Sequence, residues 1–304
     1  MLQDEPRQVK FVTLAAQPAE PETLGVVEKM GDDQMHSPSR SLSELFADLE
    51  AEQADLDALL SATKPQDWSR PTPAVGWDVR DSLSHLCFFE EAAVASLSDP
   101  ARFVAQRDEL YASMASSLQS GSATPDVALG RQIGDPVALL ERWRTARASY
   151  ADAAASADPK VRVEWYGPSM SLASFTTARL MEAWAHGVDI KDAVGVALVA
   201  SRRLRHICHI GFSARAYSFA SHGVDDPGDP VRLVVESPDG DVWTWGPADA
   251  TDVISGPALD VALVFTQRRH RSRTLVRTQG PTAELWLSIA QAFAGPGTVT
   301  DPQR

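Results

Sequence analysis

Glu182 and His186 stand four residues apart in the run Leu180-Met-Glu-Ala-Trp-Ala-His-Gly-Val-Asp189. On a helix that spacing puts both side chains on one face, a turn apart. The same seam continues at intervals of three and four through Leu172, Phe175, Arg179, Glu182, His186, Asp189 and Ala193. Met181, Trp184, Ala185 and Val188 beside it are apolar, so this polar line borders a core. A carboxylate and an imidazole at such a border need compensation. A divalent metal ion would supply it, and so would an ion-pair ladder with Arg179. His85, in Asp81-Ser-Leu-Ser-His-Leu-Cys-Phe-Phe89, lies beside the apolar stripe of Leu83 and Leu86. It is either a core histidine or a third ligand. Two histidines and one glutamate with open positions form a reactive set of the zinc class.

Other groups carry weaker signals. Arg268, Arg269, Arg271, Arg273 and Arg277 form a basic cluster without an acid among them. Guanidinium forks hold carboxylates bidentately, which makes the cluster a candidate substrate clamp; a solvated helix end is the plainer reading. Arg268 and Arg269 are the two expected to face the metal and to act in catalysis. His206 and His209 read as a second metal set or as surface and interdomain residues. Asp189 reads as an orienting partner for His186 or as a polar helix end. Trp165, Tyr166 and Met170 read as walls of the site entrance or as core.

The elements that must position these groups are helical through the first two-thirds of the chain. Leucine stripes and caps predict long helices from Ser41 or Ser43 to Ser61, Asp78 to Leu97, Pro136 to Ala157 and Ser171 to Ala193. A short helix is expected after Pro100, and four long helices with connectors read as a bundle. Another helix is predicted over Ser201 to His222. The period then changes to two. Val231–Val235 and Val242–Trp245 read as strands about a Pro-Asp-Gly turn, with a third at Asp252–Ser255. Helices are expected from Pro257 to Arg269 and from Pro281 to Phe293. The fold class is therefore α+β, mainly α. The expected division is a disordered extension at 1–38, a bundle at 39–198, a small α+β domain at 199–295 and a tail at 296–304.

Composition narrows the partners. Against 28 basic residues stand 41 acidic ones, a net charge of −13, which argues against nucleic acid and anionic membranes. Cys87 and Cys208 are too few for a disulfide framework, and the reducing cytoplasm is the expected location.

Two runs carry a resemblance: Thr72-Pro-Ala-Val-Gly-Trp-Asp-Val-Arg-Asp-Ser-Leu-Ser-His85 and Glu182-Ala-Trp-Ala-His186-Gly. They resemble the mycothiol-dependent maleylpyruvate isomerase family, one of the DinB-like metal-binding bundles. Trp165-Tyr-Gly-Pro-Ser-Met170, Trp243-Thr-Trp-Gly-Pro247 and Gln267-Arg-Arg-His270 resemble an actinobacterial subgroup described as metal-binding. The resemblance spans roughly residues 40–295. It implies a DinB-like four-helix bundle followed by a small sterol-carrier-like α+β domain. It also implies a divalent metal, usually zinc, on His85, Glu182 and His186, and mycothiol or another low-molecular-weight thiol as cosubstrate. The expected activity is isomerisation or S-transfer on a small electrophilic, anionic molecule. A non-catalytic protein holding a metal or an apolar ligand, and a metal-dependent hydrolase, remain alternatives.

Overall fold

The computed structural model describes residues 41–120 and 124–293; the expected extension and tail lie outside the described residues. Helix α1 (Leu42–Ala62) opens with a capping box: Ser41 Oγ accepts from the Glu44 amide at 3.3 Å, and Glu44 accepts from the Ser41 amide at 2.8 Å. Helix α2 (Val79–Ser98) repeats the device with Asp78 and Asp81. Helix α6 (Leu172–Val194) starts on the Ser171 hydroxyl and stops at Gly195, whose φ of 75° suits the left-handed end. These caps fix where each helix begins and so which turn carries His85 and Glu182.

Between α2 and α6 lie α3 (Pro100–Ser120), α4 (Pro125–Ile133), α5 (Pro136–Ser156) and a two-residue ribbon of β1 (Arg162–Val163) and β2 (Met170–Ser171). Helix α1 packs on α6, and α2 packs on α5, α4 and α6. Helix α3 is longer than the short helix expected after Pro100. Helix α4 was not expected at all, being short and carrying only Val127 as a buried apolar side chain. Ser84 holds it against α2. The Ser84 hydroxyl donates to the Asp126 carbonyl and accepts from the Gly130 amide at 2.7 Å. A Cβ at Gly130 would come within 2.8 Å of the Ser84 Cβ, so glycine is what permits this approach.

The predicted helix at 201–222 divides at Ala214 into α7 (Leu204–Ser213) and α8 (Arg215–His222). A four-stranded sheet follows, ordered β4 (Val242–Trp245), β3 (Val231–Glu236), β5 (Asp252–Pro257), β6 (Arg277–Gln279). β3 pairs antiparallel with β4, placing Leu233 opposite Trp245, and parallel with β5; β6 runs antiparallel to β5. Three residues gave β6 too little pattern to be read beforehand. Helix α9 (Ala258–Phe265) ends four residues before the expected Arg269. Gln267 at φ 55° turns the chain, and the Arg268 and Arg269 amides both donate to the Leu263 carbonyl. Helix α10 (Pro281–Ile289) likewise stops before Phe293. One cluster of buried apolar residues runs from Leu45 in α1 through Phe175 and Val188 to Phe265 and Trp286.

Within that core Gly211 of α7 faces Phe265 so closely that a Cβ would lie 2.1 Å from the ring. Gly211→Ala should therefore overpack the contact, costing about 1–3 kcal/mol. A thermal melt should show a midpoint lower by roughly 2–10 °C; an unchanged midpoint would contradict this packing.

Candidate metal centre

Helices α2 and α6 bring His85, Glu182 and His186 together, with one donor atom of each within 4.8 Å of the others. Glu182 Oε2 lies 3.4 Å from His186 Nε2 and 3.7 Å from His85 Nε2. Arg179 makes no ion pair with Glu182 among the described residues; its guanidinium lies over the Trp165 ring, 4.9 Å from the centroid. The carboxylate therefore faces imidazoles, and the ladder reading loses its cation.

Carboxylates stand behind both rings. His85 Nδ1 is 2.8 Å from Asp126 Oδ2, and His186 Nδ1 is 3.3 Å from Asp189 Oδ2. The hydrogen-bonded Asp126 favours the His85 tautomer with the proton on Nδ1, leaving Nε2 free to ligate. The Asp189 contact with His186 is instead a close charge contact without hydrogen-bond geometry. The charges follow the same geometry. Burial pulls the His85 imidazole down, but Asp126 and Glu182 outweigh it and lift its pKa to about 9. Burial would raise Glu182, yet His186 and His85 hold it well below the usual carboxylate range. Asp189 is likewise raised by burial and brought to about 2 by Arg268 and then His186. Arg268 answers Asp189, while Glu182 and Asp126 have only imidazoles facing them in this set. A divalent ion held by two imidazoles and a carboxylate fits this donor chemistry.

Aromatic rings line the set. Trp77 stacks on His186 with centroids 5.7 Å apart and also contacts His85 at 5.1 Å. Phe89 packs on His85 at 4.6 Å and meets Tyr166 at 5.3 Å and Trp165 at 6.2 Å. Trp165 and Tyr166 therefore stand beside the site, whereas Met170 packs on the core without entering these ring contacts.

Arg268 and Arg269 both reach α6. Arg268 Nη2 donates to Asp189 Oδ2 at 2.9 Å, and Arg269 binds both oxygens of Asp192 at 2.7 Å. The carboxylates they hold are the chain's own. Arg271 pairs with Glu284. His206 lies 2.8 Å from Asp48 and His209 accepts from Trp245 Nε1 at 3.2 Å, so the two face different partners. Among the described residues the His85 trio is the one group of three or more such side chains whose donors converge. Asp126 and Trp77 are the neighbours that reading the sequence for ligands passed over. Thr124-Pro125-Asp126 does carry a signal, since proline followed by an acid marks a helix start.

Fold and donor set together define a helical-bundle protein with a candidate two-histidine, one-glutamate centre and a small mixed sheet joined to it. Residues 49–191 match the family described as mycothiol maleylpyruvate isomerase N-terminal domain. Two uncharacterized proteins of Mycobacterium tuberculosis, Rv0036c (strain ATCC 25618) and MT0041 (strain CDC 1551), are each 39% identical over 250 residues. That match covers 82% of this chain and 95% of each relative. The chain belongs to the mycothiol maleylpyruvate isomerase family. The crystal structure of the mycothiol-dependent maleylpyruvate isomerase is similar at a TM-score of 0.50 and 16% identity, covering 80% of this chain and 96% of that one. A histidine-to-alanine mutant of that enzyme gives 0.50 at 15% identity, over 78% and 93%. At such identity the likeness is one of fold.

Zinc added at a hundredfold over its Kd should stabilise the protein by about 2.7 kcal/mol. Differential scanning fluorimetry should show this as a rise that a chelator reverses and that His186→Ala abolishes. Asp126→Ala should weaken zinc binding about 10- to 100-fold in a competition titration. Wild-type affinity in that variant would remove Asp126 from the site.

Proposed function

We propose that the protein is a metal-dependent, thiol-using isomerase or S-transferase acting on a small, electrophilic, anionic substrate, with mycothiol or a similar low-molecular-weight thiol as cosubstrate. The convergence of His85, Glu182 and His186 in a chain of this family carries the reading. Those three residues would hold a divalent ion of the zinc class, while Asp126 and Asp189 orient the imidazoles. Such an ion, when bound, lowers the pKa of a coordinated thiol enough to deprotonate it. Thiolate is the form that adds to electrophiles. Addition of the thiolate to a cis-enone moves the π electrons into an enolate and leaves a single bond free to rotate. Collapse of the enolate then expels the thiolate and leaves the trans alkene, with no net change in the thiol. Displacement of a leaving group would instead transfer sulfur to the substrate.

Trp77 and Phe89 keep water from the rings they pack on, and excluding water protects a thiolate and an enolate from stray protons. No helix among the described residues is long and apolar enough to cross a membrane. The net charge of −13 supports a small-molecule substrate over nucleic acid.

Incubation with maleylpyruvate, with and without mycothiol, tests the reading by absorbance. Turnover should require the thiol and fall at least about 100-fold in His186→Ala, as expected when a residue of the reacting centre is removed. Equal turnover without thiol would sink it.

A further inference from the structure

Arg179 is a buried guanidinium that the bundle has not neutralised. It is only 5% exposed, and its Nε is enclosed without a hydrogen-bond partner. No hydrogen bond or ion pair holds it among the described residues. Its contacts are aromatic faces: Trp165 at 4.9 Å and Phe175 at 5.9 Å. Cations on aromatic faces gain some stabilisation, but the enclosed Nε–H stays unsatisfied, and an unsatisfied buried donor is costly. Glu90 lies within its field, yet Oε1 of Glu90 accepts from Gln53 Nε2 at 3.2 Å, and burial pushes that carboxyl up.

The position of Arg179 ties it to the metal centre. It stands three residues before Glu182 on the polar seam of α6, and Trp165, on which it lies, contacts both Phe89 and Tyr166. Phe89 packs on His85. The Tyr166 hydroxyl lies within the fields of both Arg179 and Asp126. Arg179 is therefore linked to His85 through the contacts of Trp165 and Phe89. Arg268 and Arg269 already hold Asp189 and Asp192 of α6.

We propose that Arg179, and not Arg268 or Arg269, binds the carboxylate of the substrate and so sets the anion specificity of the site. Carboxylates match the guanidinium fork bidentately, and the surrounding rings offer flat apolar faces. Such surroundings suit a short conjugated carboxylic acid whose reactive carbon lies toward His85 and Glu182. The inference rests on the proposed function only in taking the surroundings of the donor trio as the substrate site.

Isothermal titration of the full chain with maleate, and separately with dimethyl maleate, tests it without turnover. The protein is used as purified and again with a chelator, which separates Arg179 from any carboxylate bound to an ion. Maleate should bind and the ester should not. Arg179→Gln should weaken maleate about 10- to 100-fold under both conditions, the usual loss for a hydrogen-bonded charge. Arg179→Lys keeps the charge without the fork and should fall between; it also serves if Arg179→Gln does not fold. Failure of the wild type to bind maleate, equal binding of the ester, or wild-type affinity in a folded Arg179 variant would each overturn the proposal. If maleate binds through Arg179 but no thiol-dependent turnover exists, the proposed function falls and this site stands.

Discussion

One carboxylate enclosed between two imidazoles governs the arrangement around it. Glu182, His85 and His186 each lose water on folding, and each must recover that solvation from neighbours. Their mutual approach answers only part of the need, so further polar partners are recruited behind the rings. Asp126 answers His85 and Asp189 answers His186. Asp126 in turn requires α4 to lie tightly on α2, which the Ser84–Gly130 contact provides. A small helix with little apolar burial of its own is thus explained by the charge it delivers.

The same demand ties the two halves of the chain together. Asp189 is buried as an anion, and its cation is Arg268, delivered by the turn that ends α9. Arg269 repeats the link at Asp192, and Arg203 binds Glu52 on α1 at 2.6 Å. The apolar core runs through the same junction, from Phe175 and Val188 of α6 to Ile207 and Phe265. Charged and apolar contacts across one surface reinforce each other, because the apolar cover lowers the local dielectric in which the ion pairs act. The environment of His186 therefore depends on Arg268, 82 positions away in the chain.

The sequence exposed those features that repeat with a period. Caps and leucine stripes located α1, α2, α5 and α6, and alternation located β3 and β4. The Glu182–His186 spacing exposed the polar seam, and resemblance joined His85 to it. Features resting on single contacts were not legible. Helix α4 has one buried apolar side chain, β6 has three residues, and α9 ends through the positive φ of Gln267 rather than through glycine or proline. Asp126 was missed for a related reason: its partner lies 41 residues away, and no local spacing links it to His85.

Arginines show most clearly why counting charge along a chain misleads about a site. The cluster at 268–277 is dense in sequence, but density says nothing of what each guanidinium meets after folding. In a chain with 41 acids, most exposed or half-buried arginines find a carboxylate, as Arg144, Arg203, Arg268 and Arg269 do. A paired arginine has spent the interaction a ligand would need, since displacing its partner would strand a carboxylate. Arg179 differs by what is absent around it. In sequence it was the natural ladder partner of Glu182, yet folding turned it onto Trp165, and among the described residues no carboxylate forms an ion pair with it. Burial without a partner, rather than local charge density, is the physical signature that separates a guanidinium kept for a ligand from one kept for the fold.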